Sequence, residues 1–449
     1  MRFKRTAGAL VALALAVPCS VLAFHDGGVA TCDGCHTMHN SKGNTAMAKK
    51  GASTQFQGFA YLLQGSDQSS TCLNCHAAAD TAPKSYHVMT TGGGVVEMTP
   101  GGDFAYLTKS YVTPIRGAPP TNAADKHGHN VIAADYGLSA DTKLTTAPGG
   151  NYDATKLSCI SCHDPHSRAR IVDAAGTIAS SALGAKVLPI DGSGSYGATP
   201  TVDAAVGVYR LLAPIGYVPM SVPTATAFTA DPPIAVAPST YNRSEGTFDT
   251  RVAYGSGMSE WCANCHASIH NNGVNAGNTK LIHPAGNGAL LTAQANDLAG
   301  NPLGTTIAAI YNAYKGSGDL TGTQTSSYDS MVPFEEGTTD IATLASHAVI
   351  DGSVKDGPVT GNENVMCLSC HRAHATAFPQ LSRWNNNAPF VAVDGQWPGK
   401  DAAAGTEMAN GEFNQGLTQA EYKAAMYDRP ATRYAFFQRS LCNKCHAKD

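Results

Sequence analysis

Twelve of the 13 cysteines in this 449-residue chain fall into one pattern, Cys-x-x-Cys-His, written six times. The copies are Cys32/Cys35/His36, Cys72/Cys75/His76, Cys159/Cys162/His163, Cys262/Cys265/His266, Cys367/Cys370/His371 and Cys442/Cys445/His446. Two thiols three residues apart lie on about one helical turn, so both can reach the vinyl groups of one porphyrin. The adjacent His then sits under the iron as its proximal ligand. This is the attachment signature of c-type haem. A zinc site built on Cys-x-x-Cys needs a second ligand pair at defined spacing and has no use for a His after every second Cys. A thioredoxin-like redox pair would occur once, beside a βαβ pattern that is not visible here. Disulfides demand no constant spacing. The sequence therefore predicts six haems c, each held by two thioethers, with the six motif histidines as proximal iron ligands.

The chain has 16 histidines, and ten lie outside these proximal positions. Six of them would complete six bis-His irons without using methionine. His39, His166 and His374 extend three of the motifs to Cys-x-x-Cys-His-x-x-His. Three residues beyond a proximal ligand, such a side chain cannot easily fold back onto the far face of its own haem. It can reach a neighbouring haem as distal ligand; a propionate or backbone contact is the competing role. His129, His283 and His347 stand alone in what read as polar loops, and His87 follows the second motif by eleven residues. Each is either a surface residue or a distal ligand, and the need for ligands keeps all four as candidates. His25, His127 and His270 are the weakest choices. With two histidines on every iron, no substrate position remains open, and the chemistry is electron transfer rather than turnover. A multihaem reductase, the alternative, needs one vacant haem position, and all six motifs here are uniform.

The rest of the chain must position these groups with little obvious regular structure. Gly, Pro, Ala, Thr, Ser and Asn dominate, and charged residues make up only 14%, so long amphipathic helices are hard to find. The expected fold is a multihaem c-type cytochrome: little regular secondary structure, mostly loops with short helices and a few short strands, wrapped round a six-haem stack. Short strands are expected over 206–212 and 250–254. Arg2, Lys4 and Arg5, an apolar run from Ala7 to Val17 and the small-residue site Val21-Leu22-Ala23 read as a secretory signal. A lipoprotein anchor at Cys19 competes, but Pro18 before it fits poorly. Residues 1–23 are thus expected to be removed, and 24–449 to form one hexahaem unit without clean subdomain boundaries. No later stretch is long and apolar enough to be read as a membrane span. Loss of the three basic signal residues takes the formal charge from −4 to −7, and no basic stripe points to nucleic acid.

Many strings outside the haem motifs carry a further message. FHDGGVATCDGCHTMHNS, SSTCLNCH, MTPGGDF, LTTAPGG, SCHDPH, VAPSTYNR, RVAYGSGMSEWCANCH, HPAGNGA, SGDLTGTQ, PFEEGT, CLSCHRAHA and LCNKCHAKD run over essentially the whole mature chain. With these the chain resembles the OmcS-like hexahaem outer-surface c-type cytochromes, a nanowire-forming group from Geobacter. The departures noticed lie in loops, including His127 just ahead of His129, and the segment from Asn385 to Asn414.

The resemblance implies a secreted cell-surface protein that polymerises head-to-tail with itself. Haems of successive subunits would form one stack, with His39 ligating the fifth haem of the adjacent subunit. A head-to-tail contact that does not close gives an open filament. Other outer-membrane or periplasmic multihaem cytochromes, and external acceptors such as metal oxides, electrodes or partner cells, are the implied electron partners. A monomeric periplasmic or outer-membrane carrier is the plainer alternative. The intact mature protein should weigh six haems more than its polypeptide by mass spectrometry. Its oxidised spectrum should show no five-coordinate high-spin haem, and such a signal contradicts the closed-iron reading.

Overall fold

The structure is a computed structural model that describes residues 32–37, 41–42, 45–46, 60–79, 87–96, 101–112, 121–166, 171–172, 178–179, 212–233, 235–236, 250–269, 284–296, 300–314, 332–350, 358 and 362–446. The signal segment, His25, His39, His270, His283 and the strand expected at 206–211 lie outside the described residues.

Helices are short because the sequence starts them and then stops them within two or three turns. Those described are α1 Cys32–Cys35, α2 Gln68–His76, α3 Met258–Cys262, α4 Ile307–Ala313, α5 Ile341–His347, α6 Cys367–Cys370, α7 Gly411–Asn414, α8 Gln419–Ala425 and α9 Cys442–Cys445. Side-chain oxygens cap several starts. The Asp67 carboxylate accepts the Ser70 N–H at 2.7 Å, and Thr418 and Glu421 form a reciprocal capping box at α8. The motif histidines end α6 and α9 in extended backbone, His371 at φ −113 and His446 at φ −98.

Strands are equally brief. β1 Ala77–Ala79 runs parallel to β2 Met89–Thr91, directly after His76 and just after His87. A four-stranded sheet joins β3 Ala235–Val236, β4 Ala253–Gly255, β5 Glu335–Glu336 and β6 Glu363–Asn364 in the order β6-β5-β4-β3. Its central pair is parallel, with Tyr254 opposite Glu335, and both outer pairs are antiparallel. The strand expected over 250–254 is present in two pieces, Thr250–Arg251 paired with Val349–Ile350, and β4. No helix among the described residues is long and apolar enough to cross a membrane.

The chain also builds an apolar core of its own, beyond what haems alone would supply. Tyr106, Phe378, Tyr422, Trp384, Trp397 and Tyr434 belong to one buried cluster. Phe378 packs edge-on against Tyr422 at 5.4 Å, and Trp397 stacks on Tyr422 at 5.7 Å. This core clamps the segment after the fifth motif. His374 N–H donates to Gly101 O at 2.8 Å, and Asp103 N–H donates to Ala375 O at 2.8 Å. Gly102, at φ +94, passes so close that a Cβ there would lie 2.1 Å from Ala375 O. Gly102→Ala combines left-handed backbone strain with a backbone clash, and should cost about 2–4 kcal/mol. The measurement is the denaturant midpoint of the haem-loaded protein.

Candidate haem-binding site

Each motif is built as a single closed turn. The motif His N–H bonds back to the first Cys carbonyl in His163–Cys159, His266–Cys262 and His371–Cys367, each at 3.0 Å, and in His446–Cys442 at 2.9 Å. The second motif lies within α2. Side chains at i and i+3 share a helical face, so such a turn presents both sulfurs to one side.

Exposure differs among the motif thiols. Cys75, Cys370 and Cys442 are exposed, while the other motif cysteines whose side chains are described are half-buried. In α2, Leu73 is fully buried, and Cys75, two residues on, lies about 200° round the helix from it.

A strap from elsewhere in the chain then fixes the turn. Cys35 O accepts from Gln64 N–H at 2.9 Å, Cys162 O from Ala213 N–H at 2.8 Å, and Cys370 O from Arg383 N–H at 2.9 Å. Two straps carry paired left-handed residues that are not glycine: Tyr61–Leu62 at φ 59 and 56, and Gln380–Leu381 at φ 57 and 56. This backbone costs about 1–2 kcal/mol per residue. It aims the Tyr61 carbonyl at His36 Nδ1 and the Gln380 carbonyl at His371 Nδ1, both at 2.8 Å.

Other imidazoles are held in the same manner. His266 Nδ1 meets Pro148 O at 2.7 Å, His129 Nδ1 meets Ala373 O at 2.7 Å, and His347 Nδ1 bonds the Glu336 carboxylate. An Nδ1–H donating to a carbonyl or carboxylate leaves the Nε2 lone pair for a metal, the usual outer-shell arrangement of a ligating His. Burial, and next the His266 imidazole, push His129 down to about 4; burial, and next His163, push His374 down to about 3. Both are thereby kept in the neutral form that binds metals.

Two ring pairs have the spacing of imidazoles on opposite faces of one iron. Iron–nitrogen bonds of about 2 Å, with each nitrogen about 1.1 Å from its ring centre, put the two centres about 6.2 Å apart. His36 and His166 stack at 6.2 Å with planes 16° apart, and His129 and His266 lie at 6.2 Å with planes 40° apart. His374 lies among His163, His129 and His76, packed on Phe104 at 4.7 Å. His87 stands beside His76 through the β1–β2 pairing, where Val88 N–H donates to His76 O at 2.8 Å. His347 closes helix α5 rather than standing in a loop. His127 is fully buried between Tyr106 and Tyr111, with Nδ1 on Thr376 O at 2.6 Å.

Successive motifs are also neighbours in space. Cys72 and Cys159 are close enough for the pair to raise the first thiol and lower the second, and Cys262 and Cys367 do the same. Cys35 is in electrostatic range of Cys72, Cys162 of Cys265, and Cys370 of Cys442 and Cys445. The two thiol-contact junctions are copies of one device. Ser69 and Ser259, each three residues before a motif's first Cys and each fully buried, accept the N–H of Cys159 and Cys367 at 3.0 Å. Sequence reasoning passed over both serines, although Ser-x-x-Cys in SSTCLNCH and MSEWCANCH was a readable signal. The left-handed straps had none, because Tyr61 and Gln380 are not residues that favour such backbone.

Closed Cys-x-x-Cys-His turns, neighbouring in sequence order and served by imidazoles held at Nδ1, define a multihaem c-type cytochrome. No family model matches the sequence. It is 49% identical over 455 aligned residues to the C-type cytochrome OmcS of Geobacter sulfurreducens, covering 98% of each chain. Two solved structures are similar: OmcS nanowires from Geobacter sulfurreducens by cryo-EM, TM-score 0.77, and the Outer Membrane Cytochrome S filament from that organism, TM-score 0.78. Each is 49% identical and covers 95% of this chain and 100% of its own. The chain belongs to the OmcS family of c-type cytochromes.

Ser259→Ala should leave the buried Cys367 N–H without its acceptor and cost about 1–3 kcal/mol. Haem stoichiometry should be unchanged; equal denaturant midpoints for variant and wild type would show that the bond carries no load.

Proposed function

We propose that this chain carries six c-type haems, every iron closed by two histidines, and conducts electrons as the repeating unit of an extracellular filament. The observation that carries this reading is the neighbour-to-neighbour order of all consecutive motifs, from Cys35–Cys72 to Cys370–Cys442. An unbroken file of redox centres is what long-range transfer needs, with the protein fixing spacing, axial ligands and exposure. The haems supply the one-electron iron chemistry. This chain's residues hold them, orient the imidazoles and exclude water.

The ligand assignment follows a two-motif step. His166, appended to the third motif, pairs with His36 of the first. His374, appended to the fifth, has His163 of the third as the first of its imidazole neighbours. On the same step His39, appended to the first motif of the next subunit, serves His371 of the fifth motif in this one. The pairing of His129 with His266 supports closure of the fourth iron. His87, His283 and His347 remain for the irons of His76 and His446. A coordination bond from His39 across the joint would couple assembly to metal binding. The similar nanowire and filament structures support the polymer, and export of electrons to metal oxides, electrodes, partner cells or other surface cytochromes follows from it.

His39→Ala should keep six covalent haems but assemble poorly, with one haem per subunit turning high-spin. His166→Ala should produce the same spin change without loss of filaments. Normal filaments with unchanged spectra for His39→Ala reject the bridging ligand, as seen by electron microscopy and absorption of the oxidised protein.

A further inference from the structure

The four-stranded sheet buries carboxylates beside the haem attachments. Glu335, on β5, is fully buried. Its Oε2 accepts the N–H groups of Gly257 and Met258, both at 3.2 Å, where α3 begins. Its Oε1 is buried and meets no donor. Directly across the antiparallel β5–β6 pair stands Asn364, 3% exposed, whose Oδ1 likewise meets none. Opposed residues in such a pair have Cβ atoms about 5 Å apart. Two acceptors without a donor face a desolvation penalty that one proton on Oε1 would relieve.

The charges around Glu335 point the same way. Glu260 acts on it from α3 and Tyr254 stands opposite it on β4, while Glu363 of β6 stands opposite the next residue, Glu336. Glu336 follows it on β5, bonded to His347 at the end of α5. Burial first, and then the Glu260 carboxylate, push Glu335 up to about 8 against the pull of the two N–H groups. The same α3 carries Cys262, and Cys367 on α6 is within electrostatic range. Glu335 thus stands between the attachments of the fourth and fifth haems.

We propose that Glu335 is a redox-linked proton site for those two haems, an inference that rests on haem attachment at both motifs. Reduction of a haem held at either motif would add negative charge nearby and favour uptake of one proton from water onto the Glu335 carboxylate. When the electron moves to the next iron, the proton returns to water. Linkage fixes the sign: the reduced haem binds the proton more tightly, so its midpoint potential falls as pH rises through the titration of Glu335. Electron flow past this point is then sensitive to pH, while the rest of the file is not tied to this acid.

Spectroelectrochemical titration of the intact haem-loaded protein, from about pH 6 to about pH 9, tests the proposal. One haem component of the wild type should shift downward with rising pH. Glu335→Gln keeps an acceptor for Gly257 and Met258 but cannot ionise, and should lose that shift. Glu335→Asp should restore a pH dependence with a displaced inflection. An unchanged dependence in Glu335→Gln overturns the proposal. A second measurement needs no variant: reduced-minus-oxidised infrared difference spectra of the wild type should gain a protonated carboxylic acid band that moves in D2O, and its absence also overturns the proposal. Mass spectrometry separates the two levels. Six haems with no proton signal reject Glu335 alone, whereas a chain without haem at the fourth or fifth motif rejects both readings.

Discussion

In the proposed reading, the constraint on which this molecule depends is the second axial position of each iron. A Cys-x-x-Cys-His turn brings one imidazole with it and fixes one face of its haem by local geometry. The other face has to be closed by a residue from a different part of the chain. In the proposed assignment that residue comes from two motifs away in sequence, so each coordination bond also ties distant segments together. With little regular secondary structure, such cross-ties do the work that sheet and helix packing does in other folds. The ordering of the chain is coupled to the metal for the same reason.

An internal repeat follows from this constraint. The junction of motifs two and three and the junction of motifs four and five use the same parts: a contact between first cysteines, and a serine three residues upstream that accepts the next motif's N–H. Tyr61 and Gln380 repeat a second device, a left-handed turn whose carbonyl orients a proximal imidazole. Both devices recur at a step of two or four motifs. A subunit made of such steps has a natural continuation beyond its sixth motif, the first motif of another copy. In this reading the filament is the internal repeat carried across a chain boundary.

Around this repeat the protein controls electrostatics by burial. Imidazoles such as His129 and His374 are kept neutral because ionising them inside the protein is costly. The acids near the fourth and fifth attachments, Glu335, Glu336 and Glu363, are almost wholly buried, and so is Lys444, inside the sixth motif, where its ammonium lies 4.4 Å from the Tyr311 ring centre. Buried charge of either sign acts strongly on a nearby redox centre, because little water screens it. Haems held at neighbouring motifs would therefore sit in different fields.

The sequence by itself determined the cofactor class and pointed to its attachment residues and proximal ligands, because Cys-x-x-Cys-His is a local structure that one helical turn completes. It also determined the loop-rich character of the fold, through its Gly and Pro content and lack of amphipathic runs. It supplied the pool of distal candidates without ranking His87, His129 and His347, because an isolated His carries no local signal of its partner. Only the tertiary structure brought His166 to His36 and His129 to His266, more than a hundred residues apart in each case. It also revealed the serines that join motifs, the left-handed straps, the outward-facing Cys75, the aromatic core after the fifth motif and the buried Glu335. These depend on long-range packing and backbone hydrogen bonds, which residue types at fixed spacings do not encode. The motif specifies a local turn; the fold decides which other turn it stands beside.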